Sequence, residues 1–423
     1  MSPIAYNIAL KTPRSIDWVL LLALLPIIAA GLVTMYSFEG IQSVPCESPA
    51  VGAFRVAEQS CELTPTNSGS FFSKQLVWLA FSLAAFFAAS FLDWRFLRRS
   101  DVLFVCFLLG AALLLLLFVA GKAVKGAQSW FDFGPLSMQP VELVKLILIL
   151  ILAKYFSRRH IEIAHIRHMF VSGFYALVLF ALVLLQPDFG GAIVIFLIWF
   201  GMMLLSGIPK KHLVAVLLVS ALSAAFFWAS VFKDYQKQRL ITFMHPLADV
   251  RGSGYNAYQS TIAVGSGGLL GKGVGLGSQS RLQFLPEYET DFIFAAFAEE
   301  WGFVGILVLC GAYGIVIWRI LANAHYGLSN FEILYGLGLA LFIMSHFFIH
   351  VGMNLGLLPV TGISLPFMSY GGTHMLVLFS GLGVLMGMRR YRRAAHKEMT
   401  RNEFLGAPTP VVKSYCLLEY GLK

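Results

Sequence analysis

Ten apolar runs, separated by polar or basic segments, leave this chain little choice of fold. Runs such as Trp18–Thr34 and Val102–Ala120 suit a bilayer crossing, which takes about 20 apolar residues as a helix. In lipid, every backbone N–H and C=O must find an internal partner, so a run of this length is expected to be helical. The spans are expected at roughly 17–36, 75–92, 101–121, 139–156, 169–186, 190–206, 211–231, 291–318, 331–352 and 366–388. The expected fold class is all-α: a polytopic membrane protein of ten transmembrane helices with a large extracytoplasmic loop. Only 13% of residues are charged and the mean hydropathy is +0.76, whereas a soluble domain is about a quarter charged. With 423 residues the chain can form one bundle with no soluble domain.

The net charge of +9 invites a nucleic-acid reading, but the positions of the charges argue against it. With the N-terminus inside, 20 Lys and Arg fall in inner segments, ten in outer loops, and Lys145 within a span. That bias predicts both termini in the cytoplasm. The basic residues are then a topology signal, helped by anionic inner-leaflet lipids, and no nucleic-acid partner is expected. Residues 1–16 form a cytoplasmic N-terminus, 17–390 the membrane domain and 391–423 a cytoplasmic tail. Lys11 and Arg14 precede the first span as in a secretory signal, but the apolar run is too long and no small-residue cleavage site follows; it reads as an uncleaved signal-anchor.

Loops 37–74 and 232–290 are then extracytoplasmic. The first holds Cys46 and Cys61, for which a disulfide is expected if that side is oxidising. The five cysteines show no metal-ligand spacing, and Cys106 and Cys310 read as packing residues. The second loop carries Arg239, Lys272 and Arg281 beside a glycine-rich run, Ser266–Gly277. This run is not a Walker A sequence, since Ser266 and Gly273 stand where Gly and Ser or Thr are needed. Its glycines still allow backbone N–H groups to approach an anion, so it reads as an anion-binding loop or simply a flexible one.

Charge within a membrane segment is expensive and usually functional. Asp291 lies where the polar loop meets the eighth span, with Glu299 and Glu300 further in. On a continuous helix Glu299 would sit about 80° round from Asp291 and Glu300 on the opposite face. Glu142 and Lys145, three apart near the start of the fourth span, can neutralise each other, or one of them can orient a polar substrate group. Asp188, in Gln186-Pro-Asp-Phe-Gly, is either a turn residue or a second acid at the face of Asp291. His346 and His350 share one helical face; core hydrogen bonding is a simpler account than a metal pair.

The run Gly352-Met-Asn-Leu-Gly-Leu-Leu-Pro-Val-Thr-Gly-Ile-Ser-Leu-Pro-Phe-Met-Ser-Tyr-Gly-Gly372 resembles the signature of the SEDS (shape, elongation, division and sporulation) family. Gly126–Trp130 with Gln139–Lys145, Gln186–Gly190, and Arg239 through Gly305 match the same family in order. Pro359-Val-Thr-Gly362 is more similar to the elongation members than to the division members. The chain departs from the family in having Glu289 in place of His, His350 in place of Asn, and His374 in place of a small residue.

The resemblance implies a peptidoglycan glycosyltransferase of the bacterial cytoplasmic membrane that polymerises lipid II for cell elongation and shape. It implies a class B penicillin-binding transpeptidase as partner and Asp291 as the family's essential aspartate. It also implies substrate-site roles for Glu142, Lys145, Asp188, Arg239 and Lys272. An acceptor sugar hydroxyl needs a base, for which Asp291 is the candidate. The pyrophosphate leaving group needs cations or N–H donors, or a divalent cation such as Mg²⁺ or Mn²⁺. No metal ligands are identified. A division-type polymerase and a lipid II flippase are the alternatives.

Overall fold

The structure is a computed structural model, and it describes residues 16–37, 69–124, 127–132, 137–157, 166–230, 237, 241, 243, 253–281, 284–285, 287–325, 327 and 329–404. Ten long helices are found among the described residues, one for each expected span. They are α1 (Trp18–Ser37), α2 (Gly69–Phe91), α3 (Ser100–Ala120), α4 (Pro140–Ser157), α5 (Ile166–Leu185), α6 (Phe189–Leu205), α7 (Lys210–Ser230), α9 (Ile293–His325), α10 (Asn330–Asn354) and α11 (Gly372–Phe404). A further helix, α8 (Ser253–Ser266), lies in the long loop. Six of the ten are long and apolar enough to cross a membrane by length and composition alone. Of the others, α6 has only 17 residues and α4 carries Glu142, Lys145 and Lys154. Many of the large apolar side chains on α3 and α5 face outward, as lipid-facing surfaces do.

Helix ends follow local chemistry. Pro140 opens α4, where its missing N–H costs nothing. Asp188 caps α6 by accepting the Gly191 amide at 2.7 Å. The last helix begins at Gly372 rather than near 366, because Ile363–Gly371 pack as a buried irregular segment. It also continues past 391, to Phe404. Three short antiparallel strands, β1 (Lys122–Val124), β2 (Ala127–Asp132) and β3 (Ser137–Met138), join α3 to α4.

The core is built round α4, which is buried on nearly every side and packs against α3, α6 and α10. The two ends of the bundle differ. At one, Asp17 accepts from Arg319 at 2.6 Å and from Asn323 at 2.7 Å, with Arg389 at 3.4 Å, and Arg98 pairs with Glu332. Burial pushes the Asp17 carboxyl up, but Asn323, Arg319 and Arg389 outweigh it and hold it below the usual carboxylate range. The other end gathers the β-strands, the α5–α6 turn, α8 and the segments before α9 and after α10.

Candidate functional site

The glycine-rich loop closes a break in α9. At Gly302, φ is 66° and ψ is −167°, so the helical ladder is interrupted there. The freed carbonyls of Glu299 and Glu300 accept from the amides of Lys272 and Gly273, each at 3.0 Å. The freed amides of Phe303 and Val304 donate to Gly268 and Leu269 at 2.9 and 3.1 Å. Gly271 allows the approach: a Cβ there would lie 2.1 Å from the Glu300 carbonyl oxygen.

The acids beside the break are saturated by the same loop. Glu299 is fully buried and accepts from Lys272 Nζ at 2.8 Å, the Gln279 amide at 3.0 Å and the Ser280 hydroxyl at 2.9 Å. Glu300 Oε1 accepts from Ser37 Oγ at 2.7 Å and the Gly275 amide at 2.8 Å. The anion-cradle reading of Ser266–Gly277 is therefore corrected. The amides of Lys272, Gly273 and Gly275 serve the broken helix, and the Lys272 ammonium lies against Glu299 and Ser278.

Asp291 belongs to a turn and not to α9, which begins two residues later. The helical angle drawn from it to Glu299 thus does not apply. The amides of Thr290, Asp291 and Phe292 converge on the Glu287 carbonyl at 3.1–3.3 Å, with Glu287 itself at a φ of 53°. Such a φ is uncommon outside glycine and marks a turn fixed by its surroundings. The fixing comes from the segment after α10. Asn354 Nδ2 donates to the Asp291 carbonyl at 3.0 Å, Ser369 Oγ to the Thr290 carbonyl at 2.9 Å, and the Tyr370 amide to the Glu289 carbonyl at 2.8 Å. The Asp291 side chain is half-buried.

Asp291 and the first turn of α6, which Asp188 caps, adjoin the same short run of that segment. A Cβ on Gly362 would lie 3.7 Å from Asp291 Oδ2, and one on Gly190 would lie 2.8 Å from the Thr361 carbonyl oxygen. Besides capping α6, Asp188 accepts from Gln139 Nε2 at 3.3 Å and feels the charges of Lys145 and Glu142. It is therefore both the turn residue and the second acid at this end.

Below it lies a buried polar chain. Lys145 donates to Glu142 at 2.7 Å and reaches His346 Nε2 at 3.1 Å; His374 Nδ1 lies 2.8 Å from the other Glu142 oxygen. The rings of His346 and His374 stack at 4.5 Å. His346 and His350 also bind the backbone, through Nδ1 contacts to the Ser364 and Ile363 carbonyls at 3.2 and 2.6 Å. Glu142, His346 and His374 bring ligand-type atoms within 4.8 Å of one another, a spacing a metal can use. The Lys145 ammonium already contacts Glu142 and His346 at hydrogen-bonding distance, so the set is matched to an internal cation rather than to a metal.

The structure thus brings Glu142, Lys145 and Asp188 into one neighbourhood and sets Asp291 against the adjoining signature segment. Lys272 lies instead at the break in α9, while Arg239, Cys46 and Cys61 fall outside the described residues. Sequence reasoning missed the anchoring by Asn354 and Ser369 and the His374 contact to Glu142. For His374 a signal was present, as a residue unusual for the family.

Comparison with known proteins supplies a family and relatives. The FtsW/RodA/SpoVE family model, described as cell cycle protein, matches residues 50–394. Peptidoglycan glycosyltransferase MrdB of Escherichia coli K12 is 39% identical over 280 residues, covering 66% of this chain and 75% of the relative. Probable peptidoglycan glycosyltransferase FtsW of Thiomicrospira cyclica is 32% identical over 412 residues, covering 93% and 98%. Among solved structures, a chain of a peptidoglycan synthase complex, described for its coordination of polymerization and crosslinking, matches with a TM-score of 0.70 at 29% identity, covering 89% of this chain and 98% of that one. The rod shape determining protein RodA of Thermus thermophilus matches with a TM-score of 0.62 at 29% identity, covering 89% and 97%.

Proposed function

The chain belongs to the FtsW/RodA/SpoVE family, and on that footing we infer that it is a peptidoglycan glycosyltransferase of the RodA type, a multi-pass membrane enzyme. Its substrate is lipid II, polymerised into glycan strands for cell elongation and shape. Its site faces the extracytoplasmic side of the bacterial cytoplasmic membrane, both termini are cytoplasmic, and its partner is a class B penicillin-binding transpeptidase. The sidedness rests on the excess of basic residues in the segments assigned to the cytoplasm. The partner rests on the likeness to a synthase complex that couples polymerization to crosslinking.

The observation that supports the mechanism is the Asp291 carboxylate beside Gly362 of the signature segment, with the start of α6, which Asp188 caps, packed on the neighbouring Thr361 and Ile363. Asp291 takes the proton from the acceptor sugar hydroxyl as its oxygen bonds to the anomeric carbon of the donor. The bond from that carbon to the lipid pyrophosphate breaks, and the pyrophosphate leaves with the electron pair. A single base and a phosphate leaving group fit inversion at the anomeric carbon with no covalent enzyme intermediate.

Glu142 and Lys145, locked to each other and to His346 and His374, fix the buried wall beneath Asp188. Of the two basic loop residues that the resemblance implies, Arg239 is the candidate for the leaving group, since Lys272 is held by Glu299. A divalent cation would supply the same charge stabilisation, and no step here depends on one.

Purified protein with its transpeptidase partner should convert labelled lipid II into polymer. Movement of lipid II across vesicles without polymer would favour a transporter. Cysteines placed in 253–281 should label from outside and those in 154–157 should not; the reverse would overturn the sidedness.

A further inference from the structure

Among the groups that hold the turn carrying Asp291 is one fully buried side chain from another helix. Asn354 ends α10, and its carboxamide is used at every corner. Nδ2 donates to the Asp291 carbonyl at 3.0 Å and to the His350 carbonyl at 2.8 Å. Oδ1 accepts the Ala295 amide at 3.2 Å and the Ser260 hydroxyl at 3.3 Å. The Ala295 amide is one of those a helix start leaves unpaired, so the same side chain fixes Asp291, two residues before α9, and the first turn of α9. Ser260 brings in α8; its one hydroxyl proton is shared between Oδ1 and the Asn354 carbonyl, the nearer at 2.9 Å. On the far side of the turn, Ser369 Oγ donates to Thr290 and accepts the Leu365 amide at 2.8 Å.

We propose that Asn354 is a positioning residue for the glycosyl-transfer step: it fixes the backbone of Asp291, and through it the direction of the carboxylate, with Ser369 as second anchor. This rests on the reading of Asp291 as the base. Asn354 touches neither substrate nor the Asp291 carboxylate in this scheme; it acts through the main chain. The Asp291 backbone then has little freedom to turn with a strained Glu287 on one side and α9 on the other. A general base misplaced by about 1 Å can lose on the order of 10²-fold in rate. Loss of the Asn354 amide should therefore appear in kcat and not in KM.

The test is a double-mutant cycle on the purified full-length protein with its partner, using Asn354→Leu, Asp291→Asn and both together, read as lipid II polymerisation. Asn354→Leu should lower kcat about 10–100-fold with KM near wild type. The double variant should be no slower than Asp291→Asn alone. Losses that multiply would overturn the positioning role while leaving Asp291 as base. An Asp291→Asn protein of near-wild-type rate would overturn the base reading, and the positioning role with it. Should Asn354→Leu fold poorly, Ser369→Ala carries the same cycle: the same pattern supports the proposal and an unchanged kcat counts against it.

Discussion

Two carboxylates eight residues apart, Asp291 and Glu299, show how differently one segment can treat the same chemical group. Glu299 is fully buried and ringed by an ammonium, hydroxyls and backbone amides of the glycine-rich loop. Asp291 is half-buried and anchored through its main chain by residues far along the chain, from the end of α10 and the segment after it. A buried charge must be paired and hydrogen-bonded to persist. Glu299 meets that need with partners from its own neighbourhood in the chain, and so reads as a structural acid. Asp291 has its backbone fixed, and its carboxylate lies beside Gly362 of the signature segment. Burial alone therefore does not distinguish the proposed base from a structural acid.

The buried pair in α4 tests where that division falls. Glu142→Gln would strand the Lys145 ammonium among His346 and apolar neighbours, a loss of about 3–5 kcal/mol for a broken buried pair. The expected outcome is a lower melting temperature or poor accumulation of protein. Unchanged stability with lost polymerisation would move Glu142 from the company of Glu299 to that of Asp291.

Glu299→Gln should have the next largest effect, since a neutral amide cannot accept from so many donors at once. About 2–3 kcal/mol of stability should go, the scale of hydrogen bonds to a charged group. Protease cleavage within 267–281 should rise, while each folded molecule polymerises near the wild-type rate. A specific loss of kcat in a stably folded Glu299→Gln protein would erase the contrast with Asp291.

Asp17, at the opposite end, should matter least and only to stability. Its depressed carboxyl contributes fully above the ordinary aspartate value of about 3.9 and loses that contribution as pH falls through the lower, folded-state value. Asp17→Asn should cost about 1 kcal/mol at neutral pH, and the gap to wild type should close on acidification below about pH 4. A gap that widens with acid would mean the carboxyl is raised, not lowered.

Much of the fold was legible because membrane helices announce themselves by length and hydropathy. The start of α11 was misplaced since Pro366, Phe367 and Met368 read as span but fold as a buried irregular segment with Phe367 at a φ of 64°. The glycine-rich loop was misread for a different reason. Glycine shows where a backbone can come close, but not what it approaches; the carbonyls it meets are 27 residues away at a break centred on one more glycine. The acids of the site were visible as charges in apolar context. Asn354 and Ser369 were not, because an uncharged polar residue at a helix end has many ordinary uses and its partner is set by tertiary packing.

The most direct measurement is lipid II polymerisation by purified Asp291→Asn protein with the proposed transpeptidase partner, with thermal stability and lipid II binding measured on the same sample. Removal of a general base typically slows a reaction about 10²–10⁴-fold. The account predicts a loss of that size with melting temperature, partner binding and lipid II binding retained. Polymerisation near the wild-type rate by a folded Asp291→Asn protein would contradict it.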